Sequence, residues 1–97
     1  MRLNNPAVIP PDRLLPGEDP ETRDPLEAIR WHQAYNEMIQ AKDSLIDDLA
    51  RSIEMMGPDA RAELTAADGV LLGEQRDRFR RRFAFWQLRQ SELADGI

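Results

Sequence analysis

The segment Asp24-Pro25-Leu26-Glu27 fixes where the main helical part of this chain begins. The Asp24 side chain can cap a free backbone N–H, proline is tolerated at the first helical position, and Glu27 can bond back to the cap. No glycine or proline then follows until Gly57-Pro58, a helix stop signal. We therefore predict a first helix over residues 25–56, about 32 residues and 48 Å long at ~1.5 Å per residue.

Apolar side chains recur on one side of this helix, within an arc of about 120° that is typical of a core-facing stripe. Lys42 lies near the middle of the stripe, and a buried lysine is costly unless it is paired. The stripe contains Trp31, Tyr35, Met38, Ile39, Leu45, Ile46, Leu49, Ile53 and Met56.

A second helix is predicted over residues 66–94, after a connection over residues 57–65 in which Pro58 can start a short extra turn. Thr65 resembles its N-cap. One face of the helix is apolar, while the bulky Phe85 and Leu88 point away from it and indicate a second contact surface. Polar residues recur every seven positions on or beside the apolar face and can set the register of helix packing; they are Asp68, Gln75, Arg82 and Arg89.

Residues 1–23 hold five of the seven prolines and are predicted to form a mostly extended arm. The arm also carries Val8, Ile9, Leu14 and Leu15, which an entirely solvated tail would not need. Two interpretations stay open at this point: a disordered tail, or an arm that docks on the helices or on a partner.

The predicted fold is all-α: a long antiparallel helical hairpin over residues 24–97, preceded by the arm. Residues 24–56 carry seven acids and three bases, whereas residues 66–93 carry six arginines and four acids, a charge difference that favours pairing of the two helices. Each helix has more large apolar groups than its mate can cover, and we expect little core from the arm. We therefore predict a homodimer that forms a four-helix bundle, with a different protein partner or a monomer as alternatives.

The composition excludes several function classes. A net charge of −5 argues against general nucleic-acid affinity, and the absence of cysteine excludes disulfides and thiol catalysis. No apolar stretch approaches a membrane span. The single histidine, His32, lacks a glutamate three positions before it, and no catalytic, metal or cofactor site is predicted. Twelve arginines against one lysine are typical of GC-rich coding, so we expect a cytoplasmic bacterial protein.

The function we predict is non-enzymatic protein–protein interaction, as a small regulator or adaptor. The candidate partner-binding residues are Arg78, Arg81, Phe85 and Leu88 of the second helix and Val8 and Ile9 of the arm. The large side chains predicted for the core or the dimer interface are Trp31, Tyr35, Phe79, Phe83 and Trp86.

Two other functions are kept as alternatives. In the first, a helical bundle senses a nucleotide or another anion, which it binds through Lys42, Arg78 and Arg82. In the second, the arginines of residues 76–82 bind nucleic acid, with the neighbouring aromatic rings stacking on bases. Nucleic acid is the less expected partner because the chain is acidic overall.

Overall fold

The computed structural model describes residues 13–96, and this part of the chain is all-α, as predicted. Helix α1 spans Pro25–Glu54, α2 spans Pro58–Leu64, and α3 spans Val70–Ala94. A π-helical turn over Thr65–Gly69 joins α2 to α3. Within the described range there is no β-strand, and the arm residues Val8 and Ile9 lie outside it.

Helix α1 begins where the Asp-Pro pair predicts, because the Asp24 carboxylate accepts a hydrogen bond from the Leu26 backbone N–H at 3.0 Å. The prediction that Glu27 bonds back to the cap is wrong. The Asp24 backbone N–H instead donates to the Thr22 hydroxyl oxygen at 3.2 Å, so the residues before the helix complete the cap.

The predicted N-cap at Thr65 is also wrong. Thr65 has helical backbone angles (φ −65°, ψ −43°), and the chain passes from α2 through the π-helical turn into α3 without leaving the helical region. A π-helical turn closes i→i+5 hydrogen bonds and so absorbs an extra residue inside a helical run. Thr65 has a residue type that favours an N-cap, but the helix continues through it.

Helices α1 and α3 pack side by side with opposite chain directions. The His32 ring stacks on Phe83 with centroids 4.3 Å apart, and the Tyr35 ring lies 6.0 Å from that of Phe79. Further along, the Lys42 ammonium donates to the Gln75 side-chain oxygen at 2.7 Å. As the residue numbers on α1 increase, those of their partners on α3 therefore decrease. Lys42 also has the polar partner that its position in the stripe requires.

The core lies between these two helices and consists of Ala28, Tyr35, Phe79, Trp86 and Leu93. Trp31, Met38, Ile39, Phe83, Phe85 and Leu15 are partly buried around it. Not every residue of the predicted stripe is covered: Leu45 is 48% exposed, because it lies at the edge of the arc rather than at its centre.

The described residues before α1 are folded into two turns rather than extended. In the first, the Glu18 N–H donates to the Leu15 carbonyl oxygen at 3.0 Å, with Pro16 and Gly17 between them and Gly17 at φ +85°. These are the features of a type II turn. In the second, the Thr22 N–H donates to the Asp19 carbonyl oxygen at 3.2 Å. The first, which we name the Leu15–Glu18 turn, lies against the Trp31 ring through Gly17.

Alanine substitution at two glycines should change the stability of the fold in opposite directions. Gly17→Ala forces a Cβ into a left-handed conformation and should cost about 1–2 kcal/mol of folding free energy. Gly73 is helical with open space around it, so Gly73→Ala should stabilise the fold by up to about 1 kcal/mol. Urea unfolding measures both. Equal effects of the two variants would contradict the turn at Gly17.

Candidate functional site

The Leu15–Glu18 turn inserts the Glu18 carboxylate between α1 and α3. One carboxylate oxygen accepts from the Tyr35 hydroxyl at 2.6 Å and from the Leu15 backbone N–H at 2.9 Å. The other accepts from the Trp86 indole N–H at 2.7 Å and from Arg82 Nη2 and Nε at 2.8 and 3.1 Å. The Glu18 side chain has no solvent exposure, and that of Arg82 has 8%. We refer to Glu18, Tyr35, Arg82 and Trp86 as the Glu18 cluster.

The electrostatics of the Glu18 cluster hold the carboxylate in its charged form. Burial alone would raise the pKa of Glu18, but the hydrogen bonds from Tyr35, Leu15, Trp86 and Arg82 together outweigh it and lower the pKa. Burial and the bond to Glu18 raise the pKa of Tyr35, so its hydroxyl stays protonated and donates. A fully paired, ionised carboxylate of this kind is suited to recognition and fixed positioning, not to proton transfer at neutral pH.

A second anchor lies next to this cluster. Arg89 donates from Nη2 and Nε to the Thr22 carbonyl oxygen at 2.7 and 3.2 Å, and Thr22 is buried. Of the polar residues spaced by seven, Gln75 therefore bonds to α1, while Arg82 and Arg89 hold the segment before α1. Asp68 is exposed.

An open groove of about 340 Å³ lies beside these anchors. The half-buried Phe85 contacts the edge of the Trp86 ring at a centroid distance of 5.1 Å, and the Arg82 guanidinium lies 4.4 Å above the Phe85 ring. Leu88, one turn further along α3, is 63% exposed. The groove is lined by Pro20, Glu21, Arg23, Phe85, Arg89 and Glu92. We call Pro20, Phe85 and Leu88 the Phe85–Leu88 surface.

The predicted partner-binding residues are not all on one surface. Phe85 lines the groove, Leu88 is exposed three residues further along α3, and Arg81 is exposed. Arg78 does not lie on the outer face, which corrects the prediction: it is buried, and its guanidinium packs 4.8 Å from the Phe79 ring centroid. That burial, together with the nearby charge of Arg13, lowers the pKa of Arg78. Val8 and Ile9 lie outside the described residues.

The predicted anion-binding cations already have protein partners in two cases out of three. Lys42 bonds to Gln75, and Arg82 bonds to Glu18. Arg78 packs on Phe79. Lys42 and Arg82 are thus engaged by two different side chains of the protein, Gln75 and Glu18.

The aromatic rings predicted for the core or a dimer interface are largely covered within one chain. Tyr35, Phe79 and Trp86 are buried, and Trp31 and Phe83 are partly buried against them. The expectation that the arm adds little core is wrong, because Glu18 bonds directly to Tyr35 and Trp86. The signal for this docking was the Pro16-Gly17 pair, a type II turn signature that directly precedes Glu18.

Other kinds of site are not found in the described range, residues 13–96. No group of three or more histidine, cysteine or acidic side chains there could hold a metal ion, and no helix there is both long and apolar enough to cross a membrane. Comparison with protein-family models, with curated proteins and with solved structures finds no match for this chain.

Glu18→Ala should destabilise the fold by about 3–5 kcal/mol, because it leaves the Arg82 charge and the donors of Tyr35, Trp86 and Leu15 without their acceptor. Glu21→Ala, an exposed glutamate three residues away, is the matched control and should change stability by no more than about 0.5 kcal/mol. Urea unfolding followed by tryptophan fluorescence measures both. A Glu18→Ala loss as small as that of Glu21→Ala would show that the cluster does not hold the fold together.

Proposed function

We propose that this chain is a non-enzymatic protein–protein interaction module and that the Phe85–Leu88 surface contacts its partner. The observation that supports this is an apolar pair on α3: the half-buried Phe85 lines the groove, and Leu88, three residues further along the helix, is 63% exposed. An aromatic anchor with an exposed aliphatic neighbour and a charged rim is the arrangement common at protein interfaces.

A second copy of the chain is the partner we favour. The rim of the groove carries two acids, Glu21 and Glu92, and two bases, Arg23 and Arg89, so it is locally neutral in a chain of net charge −5. Two copies related by a two-fold axis place the same surface against itself, which lets acids of one copy meet bases of the other.

The two long helices of each copy would then form a helical hairpin that pairs into a four-helix bundle. The setting we propose is a small cytoplasmic regulator or adaptor of bacterial origin. The arginine bias and the absence of cysteine support that setting.

Leu88→Arg should separate the dimer, because it places a charge in the apolar centre of the contact and repeats it across the two-fold axis. Analytical ultracentrifugation of the full chain at micromolar concentration should give twice 11.2 kDa for the wild type and a single 11.2 kDa species for the variant. Val70→Arg is the control: Val70 is also exposed on α3, 53%, but lies at the opposite end of the helix and should leave the dimer intact. A wild-type monomer, or dissociation by both variants, would contradict the proposal.

A further inference from the structure

The apolar side chains of the helix pair are well covered at one end only. The buried Tyr35, Phe79 and Trp86 lie there, whereas none of the described residues between Tyr35 and Arg78 is buried. That stretch contains the second half of α1, all of α2 and the start of α3. Two leucines in it are about half exposed, Leu45 by 48% and Leu71 by 49%.

These two leucines continue the face on which the residues before α1 lie. On α1, Gly17 lies against the Trp31 ring, and Leu45 follows Trp31 by 14 positions. On α3, Phe85 lines the groove beside the residues before α1, and Leu71 precedes Phe85 by 14 positions. Positions related by multiples of seven lie on nearly the same side of a helix. Both leucines are therefore on the side of the helix pair that the Leu15–Glu18 turn covers at the other end.

The two leucines also lie at the same level along the helix pair. The Lys42 ammonium bonds to the Gln75 side-chain oxygen at 2.7 Å, and the Leu49 side chain lies next to Gly69. Position 45 falls between the two α1 positions, and position 71 falls between the two positions opposite them. The leucines therefore lie across from each other, with one more leucine a turn beyond on α1. We call Leu45, Leu49 and Leu71 the Leu45–Leu71 surface.

The surroundings of the Leu45–Leu71 surface are strongly acidic. Residues 43–77 carry nine acids and three bases, a net charge of −6, whereas the whole chain has a net charge of −5. Two exposed acids lie one helical turn from a leucine of the surface: Asp48 follows Leu45 by three residues, and Glu74 follows Leu71 by three. Asp48 also pairs with Arg51, which is one of the three bases in that count. The same surface of a second copy would meet this charge with its own, so a basic partner is the better match.

We propose that the Leu45–Leu71 surface binds an amphipathic helix of a different protein, one whose apolar stripe is flanked by lysine or arginine. Such a helix lays its stripe over the leucines, as helices do when they pack on other helices. Its basic flanks meet the acids of residues 43–77. This surface is separate from the Phe85–Leu88 surface and does not depend on the dimer proposed there.

The probe for this surface is a fluorescent peptide of leucine and lysine, about 18 residues or five helical turns long, with its leucines on one helical face. A peptide with the same leucine positions and glutamate in place of lysine is the control for charge. Each is titrated into the full chain, and binding is read by fluorescence anisotropy. We expect saturable binding of the lysine peptide and at least about tenfold weaker binding of the glutamate peptide.

Serine substitutions locate the contact. Leu45→Ser and Leu71→Ser should each weaken binding of the lysine peptide at least about tenfold, because each removes an apolar group from the centre of the surface. Met55→Ser is the matched control: Met55 is exposed in the same acidic half of the molecule but caps the C-terminus of α1, and binding should stay within about twofold. All three variants should keep the wild-type helical signal in circular dichroism, because all three side chains are exposed.

Equal binding of the two peptides, or binding that neither leucine variant weakens, would overturn the proposal. Loss of the helical signal in both leucine variants would also overturn it, because the leucines would then be core residues. Two further results would rule out a separate partner. Dissociation of a dimer by Leu45→Ser in sedimentation would assign the surface to a second copy. Peptide binding that Val8→Ser with Ile9→Ser strengthens at least about tenfold would assign it to the chain's own N-terminal residues.

The same titration separates this surface from the proposed dimer contact. Leu88→Arg should leave binding of the lysine peptide within about twofold, because Leu88 lies 17 positions along α3 from Leu71, at the other end of the helix. A dimer that fails to form therefore leaves the peptide result unchanged, and failure of the peptide to bind leaves the sedimentation result unchanged.

Discussion

The burial of one carboxylate, that of Glu18, is the interaction on which the rest of this structure depends. An unpaired buried charge is strongly destabilising, so Glu18 can lie between α1 and α3 only because Arg82, Tyr35 and Trp86 all donate to it. These bonds fix the position of the residues before α1, and those residues in turn cover rings that would otherwise face solvent. The exposed ion pairs elsewhere, such as Arg51 with Asp48, are worth about 0–1 kcal/mol each and cannot substitute for the cluster.

Because these rings are covered within one chain, fewer apolar side chains are left that could drive association with another chain. Tyr35 and Trp86 are fully buried, and they need no second copy. The apolar side chains that this covering leaves open include Phe85, which is half-buried and lines the groove, and Leu88, which is exposed three residues further along α3. The Arg82 guanidinium lies on the Phe85 ring and also bonds to Glu18, so the interior cluster and the proposed contact surface share a side chain.

The sequence predicted the features that depend on residues close to one another in the chain. The Asp24-Pro25 start of α1, the short helix at Pro58 and the apolar faces of α1 and α3 follow from capping and from a 3.6-residue period. It did not predict the Glu18 cluster, because the bond from Arg82 to Glu18 joins residues 64 positions apart and no local pattern marks such a pair. Arg78 and Arg82, four positions apart, lie on nearly the same side of α3, and periodicity did not predict that both would be buried. Thr65 looked like a cap because its residue type permits one, and only the continuing helix shows otherwise.

The burial and pairing of Glu18 are tested most directly by a pH titration that follows the carbon-13 chemical shift of its side-chain carboxyl. We expect the pKa of Glu18 to lie below its ordinary value of 4.5. Because the folded pKa is the lower one, the contribution of Glu18 to stability should be fully present above the unfolded value and lost as the pH falls through the folded pKa. Two results together would contradict a buried, fully paired Glu18. They are a carboxyl pKa at or above its ordinary value, and no broadening or shift of the Trp86 indole N–H signal at the same pH.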